Sequence, residues 1–443
     1  MPIDLPFHHL TPNLPEHYAL MNCVLVKPGQ NDAEAQHLEI KKNKIVAISS
    51  DKKNIDSGIK KFDCSHLMVC PGFINSHTHA VMGFFRDYGH GKPEMIENFL
   101  FPAEKALTPD LIEPLSYSYL IAALKTGTTL ISDHYYMVEG VGMACEKIGL
   151  KAFLGETIAD IGGAFPGQAT YENAISQMKK WNFSDNIKPL MAPHATDTVS
   201  DDAAQKIVRY AEKHELPIHM HLSQTTGERR RTQSRTGLSP VKWAEKMGLL
   251  SKNTLAVHLI SADTEDLDIL LKTNSQAVIC PSSQIIYETL APISKIKESG
   301  IPVSVATDCA ASNDRADLRE EARFCALVEK LTRSPSSPNI DHEAWVESIT
   351  KTPASALGIG ESTGEIAAGK SADLSFFQKS IDTLPLSKPC ENLLFSQSCA
   401  NIKHVLINGR FVLYDGECTL IDEEKWKASY MEAVKEIRQK AGI

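Results

Sequence analysis

The sequence predicts an α/β protein: a (β/α)8, TIM-like barrel with a small β-sandwich built from both chain ends. Three observations carry this expectation. Between residues 69 and 360, apolar strand-like runs alternate with amphipathic helical stretches about eight times, the count that closes such a barrel. Residues 1–68 and 361–443 instead hold short β-patterned runs between polar turns, too few on either side to close a sheet alone. No long Gly/Ser/Pro linker and no fixed-period repeat separates these regions, so the two flanks are expected to pair beside the barrel.

The elements follow in order. "YALMNCVLVKPG", "HLEIKKNKIVAIS" and "HLMVCPGF" supply strands for the first half of the sandwich. The barrel strands are expected in "FINSHTH", "GTTLISDHYY", "KAFLGETI", "IKPLMAPHA", "LPIHMHLS", "TLAVHL", "SQAVICPSS" and "IPVSVATD". Between them, "DDAAQKIVRYAEKH" and "DTEDLDILLKT" repeat their apolar residues at helical spacing. "GEIAAGKSADLSFFQ" and "NIKHVLINGRFVLYDGE" return to β-pattern, and a final helix is expected from Glu423.

Composition narrows the function classes. With 443 residues, 42% hydrophobic and 23% charged, the chain reads as an ordinary soluble globular protein. A net charge of −9 without a concentrated basic footprint argues against a nucleic-acid partner. No apolar run is long enough to span a bilayer, and the N-terminus lacks the basic start and apolar core of a secretory leader. The ten cysteines are scattered without CxxC spacing, which suits reduced thiols and a cytoplasmic location.

Polar residues at the C-terminal ends of barrel strands are where such barrels do chemistry. His77 and His79 lie two apart in "NSHTHA", so a strand points both side chains the same way. His221 closes "HMH", His258 ends "TLAVH" and Asp308 ends "VSVATD". Three imidazoles from this group and the carboxylate satisfy one divalent ion and leave room for a water. His219 lies one layer deeper than His221 and reads as a packing or hydrogen-bonding residue behind it. His66, His90 and His134 have no comparable spacing partner and read as structural or surface residues. His194 closes the fourth strand, where it faces substrate or packs. Arg229, Arg230 and Arg231 read as a solvated helix face, with recognition of an anionic substrate group as the alternative. Phe84, Phe85, Tyr135 and Tyr136 follow strand ends, where they pack in the core or stack on a flat ring.

The segments "VCPGFINSHTHA", "APHATDTVS", "IHMHLSQT", "AVHL" and "VATDCAASND" resemble, in order and spacing, the amidohydrolase superfamily, and "GEIAAGKSADLSFF" resembles its return to the sandwich. More narrowly, the chain is similar to the branch of methylthioadenosine/S-adenosylhomocysteine deaminases, guanine deaminases and triazine chlorohydrolases. The resemblance runs from about Tyr18 to the final helix. It implies His77, His79, His221 and Asp308 as ligands of one divalent ion, zinc first, with iron or manganese as alternatives. It implies that Asp308 moves the proton of the attacking water, that His258 steadies that water, and that His194 binds substrate. The family's acid/base glutamate falls on Gln224, and Gln284 in "CPSSQ" stands where the branch usually has a substrate-binding asparagine. Glu94 and Glu97 are present in "KPEMIENFLFPAE" without the tryptophan common in nucleoside deaminases.

The expected activity is release of ammonia from an aminated purine, pyrimidine, pterin or triazine. Because the amide of Gln224 delivers no proton at pH 7, opening of a cyclic amide or hydrolysis of a carbon–halogen bond is the alternative. A non-catalytic scaffold is the third reading, and it predicts loss of the ligands, all of which are present. The partner is a small heterocycle, and the resemblance implies a homodimer.

Overall fold

The structure, a computed structural model, describes residues 8–30, 32–88, 90, 92, 94–181, 184–333 and 339–443. Residues 1–7, on which the expectation about a leader partly rests, lie outside the described residues.

Eight parallel strands form the barrel. They are Phe73–Thr78, Thr128–Tyr135, Lys151–Ile158, a broken fourth strand of Ile187–Pro189 and Ala192–Pro193, then Ile218–Leu222, Thr254–His258, Gln276–Ile279 and Val303–Val305. They lie in two arcs, joined by a parallel bridge between Met191 and Ile218. The ring closes where the Asp308 N–H donates to the His77 carbonyl at 3.1 Å. Helices cover the outside, so these strands are buried on both faces and read as nearly continuous apolar runs.

The helices form for local reasons. Asp201–His214 starts at Ser200, whose hydroxyl accepts the Ala203 N–H, and carries Asp201 and Asp202 at its electropositive first turn. It buries Ala203, Ala204, Ile207 and Ala211, one stripe at helical spacing. Thr264–Thr273 begins with a reciprocal capping box between Asp263 and Asp266. Inside the barrel, Ile74, Leu130, Phe153, Leu255, Val257 and Val278 fill a separate core at the end away from the site.

The chain ends meet in one nine-stranded sheet. Its centre is the antiparallel pair Leu67–Pro71 and Leu374–Gln378, with Val69 opposite Phe376. Tyr18, Leu20, Phe62, Phe376 and Phe411 pack into a core of their own there. Leu67–Pro71 runs directly into the first barrel strand, so this sheet anchors the strand that bears His77 and His79. The terminal helix Glu423–Ala441 stacks Trp426 on Tyr117 with ring centroids 3.8 Å apart. From the same helix Tyr430 donates to the Gly83 carbonyl at 2.8 Å and Arg438 to the Phe84 carbonyl at 3.0 and 2.8 Å. That clamps the segment Ala80–Phe85 immediately after His79, with Phe84 and Phe85 packed in the core. Among the described residues no helix is long and apolar enough to cross a membrane.

Candidate active site

The C-terminal strand ends bring His77, His79, His221, His258 and Asp308 together. His79 Nε2 lies 3.2 Å from His221 Nε2. Asp308 Oδ1 lies 3.4 Å from His77 Nε2 and 3.8 Å from His79 Nε2, and Asp308 Oδ2 lies 3.9 Å from His258 Nε2. The outer ring nitrogens decide what the inner ones present. His79 Nδ1 lies 2.7 Å from the His134 carbonyl, and His221 Nδ1 2.9 Å from the His194 carbonyl. A carbonyl only accepts, so both Nδ1 atoms carry the proton and both Nε2 atoms turn bare lone pairs toward each other. His258 Nε2 is buried without a hydrogen-bond partner among the described residues.

Lone pairs facing at that distance repel, and unpaired buried nitrogens cost free energy. A cation among them removes both costs. The donor atoms of His77, His79, His134 and His221 all lie within 4.8 Å of one another, as do those of His77, His258 and Asp308. Imidazole and carboxylate oxygen are the donor types a borderline divalent ion takes, so these residues fit the metal expected for them.

Electrostatics agree with that use. Burial lowers the pKa of His79 and His258 to about 3 and of His194 to about 4. It also holds His134, His219 and His221 well below the ordinary range, each with neighbouring imidazoles adding to the effect. Burial pushes the Asp308 carboxyl up, but hydrogen bonding and charge from His77, with His258 and His79 nearby, outweigh it and hold the group well below the usual carboxylate range. Neutral rings at His79, His221 and His258 beside an ionised carboxylate are the protonation state that ligation requires. In metal-depleted protein, ring carbon-proton NMR signals of His79 and His258 should stay at neutral-ring positions from pH 8 to 5. Titration near pH 6.5 would contradict a buried neutral cluster.

Asp308 sits at φ +60°, with Oδ1 accepting the Cys309 N–H at 2.8 Å and Oδ2 the Ser283 hydroxyl at 2.6 Å. His219 stands behind His77, its Nε2 2.7 Å from His77 Nδ1, and Ser132 Oγ is 3.3 Å from its other nitrogen. His134 departs from the sequence reading. Of the structural and surface alternatives the surface one fails, because His134 is buried in the cluster, its ring 4.7–4.8 Å from those of His221, His79 and His219. Its Nδ1 meets Thr157 Oγ1 at 3.2 Å. Strand periodicity contained the signal: His134 and Ser132 share one face of the second strand, the face that meets His219.

A cavity opens beside the cluster, with Met82, Met95, Ile96, Leu100 and Phe101 among its apolar walls. Tyr135, Tyr136, His194, Gln224 and Tyr287 also line it. His194 is half-buried, and its Nδ1 lies 2.9 Å from Thr198 Oγ1. Gln224 is fixed through its backbone N–H, which donates to Glu228 Oε2 at 2.6 Å. Gln284, expected to face substrate, is not brought to the cavity. It is fully buried and spends its whole amide on backbone: Nε2 donates to the His258 carbonyl at 2.9 Å and Oε1 accepts the Ala291 N–H at 3.2 Å. The reason is local, because His258 at φ +85° turns its carbonyl out of the strand ladder. The sequence reading also passed over Glu104, which lines the cavity, accepts the Tyr135 hydroxyl at 2.6 Å and is pushed up to about 7 by burial.

The amidohydrolase family profile matches residues 68–412. The chain belongs to the amidohydrolase family. It is 32% identical to a 5-methylthioadenosine/S-adenosylhomocysteine deaminase of Thermodesulfovibrio yellowstonii, over 84% of this chain and 87% of that one. It is 28% identical to the enzyme of the same name from Caldicellulosiruptor saccharolyticus, over 92% of each. Among solved structures, an adenosine deaminase from Xanthomonas campestris with bound zinc superposes with a TM-score of 0.88 at 22% identity, over 95% of this chain and 98% of that one. A guanine deaminase from C. acetobutylicum with bound guanine does so with 0.78 at 19%, over 89% and 99%. An atrazine chlorohydrolase from Arthrobacter aurescens TC1 complexed with zinc gives 0.83 at 18%, over 94% and 100%. These structural likenesses establish the barrel fold, and the amidohydrolase is a hydrolase acting on carbon–nitrogen bonds.

In the amidohydrolase the arginine run is largely spent on the protein's own carboxylates. Arg229 pairs with Asp263 at 2.5 Å and Asp266 at 3.0 Å, and Arg231 pairs with Glu97 and Asp197, both at 2.6 Å. Arg230 is exposed. Glu97 is therefore paired with Arg231, while Glu94 accepts from the Asn98 amide at 3.0 Å.

Proposed function

We propose that this amidohydrolase is a metal-dependent deaminase that hydrolytically releases ammonia from an aminated purine, pyrimidine, pterin or triazine. The observation that carries the reading is the pair of bare Nε2 lone pairs on His79 and His221, 3.2 Å apart beside Asp308 at the wall of an apolar cavity. His77, His79, His221 and Asp308 would hold one divalent ion, with zinc the first choice because two of the structural neighbours contain it. When bound, such an ion lowers the pKa of a water from 15.7 to about 7.

The chain's own groups do the rest. Asp308, ionised at neutral pH, accepts the proton of the attacking water and returns it to the leaving nitrogen. His258 Nε2, 3.9 Å from Asp308 Oδ2, orients that water. His194 and Gln224 meet the polar edge of the heterocycle, and Tyr135, Tyr136 and Phe101 cover its flat faces. With the arginines of the run mostly paired, a neutral ring with apolar substituents suits the cavity better than an anionic one. Residues 69–360 carry this chemistry, and residues 1–68 and 361–443 brace it. The same reading includes a cytoplasmic homodimer without a nucleic-acid partner, and light scattering reads the dimer.

Gln224 gives the second reading its support, because an amide donates and accepts hydrogen bonds but delivers no proton. One experiment addresses both. Zinc-reconstituted protein is offered a panel of amino-heterocycles, halogenated triazines and cyclic amides, with ammonia, halide and ring-opened acid measured in parallel. Ammonia release supports deamination. Halide or acid without ammonia supports the alternative, and no product at stoichiometric metal overturns both.

A further inference from the structure

Tyr287, a residue that the scheme above leaves unused, stands between Gln224 and His258. It closes the short helix Pro281–Tyr287 and faces the cavity together with Gln224. Its hydroxyl lies 3.1 Å from His258 Nδ1, and its ring meets that imidazole edge-on at a centroid distance of 5.9 Å. Burial pushes the phenol well above its usual range, and a side-chain hydrogen bond from Gln224 acts in the opposite direction, as a donor to the phenol oxygen does. Beyond His258 the line continues, since its buried Nε2 has no hydrogen-bond partner among the described residues and lies 3.9 Å from Asp308 Oδ2.

The fold fixes this line firmly. His258 has φ +85°, a conformation that a residue with a Cβ keeps only where its surroundings hold it. Two side chains on one face of the same helix provide the hold, Gln284 on the His258 carbonyl at 2.9 Å and Tyr287 on the His258 ring. The loop bearing Gln224 is tied to the same helix end, because the Thr226 N–H donates to Glu288 Oε1 at 3.0 Å. Phenol and amide are thereby set relative to each other as well as to His258.

We propose that Tyr287 is a positioning residue for His258 and that Gln224 acts on the reaction through it. The amide N–H donates to the phenol oxygen, which leaves the phenol proton for His258 Nδ1. The ring proton of His258 then resides on Nε2 and points at the place where oxygen attacks. An ionised carboxylate at position 224 accepts only. It would draw the phenol proton to itself and leave His258 Nδ1 without a donor. The neutral side chain is what lets the phenol serve the histidine. The inference rests on the deaminase reading only for the identity of the bond broken, because the coupling of the three side chains exists without substrate.

The test uses Tyr287→Phe, Gln224→Glu and the double variant of the full chain, with thermal melts as a folding control. In metal-depleted protein carrying ring-15N histidine, the His258 resonances are identified by their loss in His258→Gln. They should shift in each single variant, and the double variant should match Tyr287→Phe. With zinc and a turned-over substrate, Tyr287→Phe should lose about 10–100-fold in kcat, the scale of a misplaced reacting group, with KM within about twofold, and Gln224→Glu should lose kcat on the same scale, with any change in KM coming from its own contact with the substrate. The double variant should be no worse than the poorer single one, since two residues acting through a third are not additive. His258 resonances in Gln224→Glu that coincide with those of the unmodified protein, or additive losses in kcat, overturn the proposal. If Tyr287→Phe does not fold, the Gln224→Glu spectrum alone decides it. The spectra need no substrate, so failure of the substrate panel removes the deaminase reading while leaving this one to be judged separately.

Discussion

His221→Ala should yield a folded protein that neither retains a stoichiometric divalent ion nor turns over. The imidazole supplies one of the two lone pairs that face each other across the cluster, and its Nδ1–H grips the His194 carbonyl at 2.9 Å. Its removal deletes a proposed ligand and frees the end of the fourth strand together. Loss of a residue that merely orients a ligand costs roughly 10–100-fold in metal affinity or activity, so loss of the ligand itself should exceed that, about 10³-fold or more in chelator competition. Mass-spectrometric metal analysis reads the outcome, and stoichiometric zinc in the variant would remove His221 from the centre. A chelator applied to the unmodified protein should reproduce the loss, and adding back zinc, iron or manganese one at a time should show which ion restores turnover.

Asp308→Asn should retain the fold and lose about 10²–10⁴-fold in kcat, the usual worth of a general acid–base group. Asparagine keeps the size of the side chain, and its oxygen can still accept from Ser283 or Cys309. It carries no charge and takes no proton. Because the carboxyl is held well below its usual range, the unmodified enzyme should show no acid limb from this group near neutrality, and the variant should be slow at every pH rather than shifted. Activity within about tenfold of the parent would transfer the proton to another group, with Glu104, pushed up to about 7 in the cavity wall, the next to examine.

The parts of the site legible in the sequence are those that strand geometry alone determines. The spacing of His77 and His79 puts both on one face, and His221, His258 and Asp308 each close a recognisable apolar run. His134 escaped because its partners lie on other strands, and spacing within one strand says nothing of them. Gln284 was misplaced because its position in "CPSSQ" carried no information about the left-handed backbone of His258, which claims the amide. Tyr287 escaped because its meaning depends on a helix beginning at Pro281, so that Gln284 and Tyr287 share a face. The same limit holds for the fold: both flanks were legible as β-structure, but the register of Leu67–Pro71 against Leu374–Gln378 joins segments about 300 residues apart. The fourth strand breaks after Pro189, which lacks the N–H a continuous ladder uses.

The clamp on the segment after His79 bears on the order in which the molecule is made. His77 and His79 leave the ribosome early, but Arg438, which grips the Phe84 carbonyl, follows Phe84 by 354 residues, and the strand that pairs with Leu67–Pro71 also comes late. The first two imidazoles therefore wait for supports about 300 residues or more further along the chain to fix their strand at both ends. A nascent chain stalled before Leu374 should hold its histidines in no lasting arrangement.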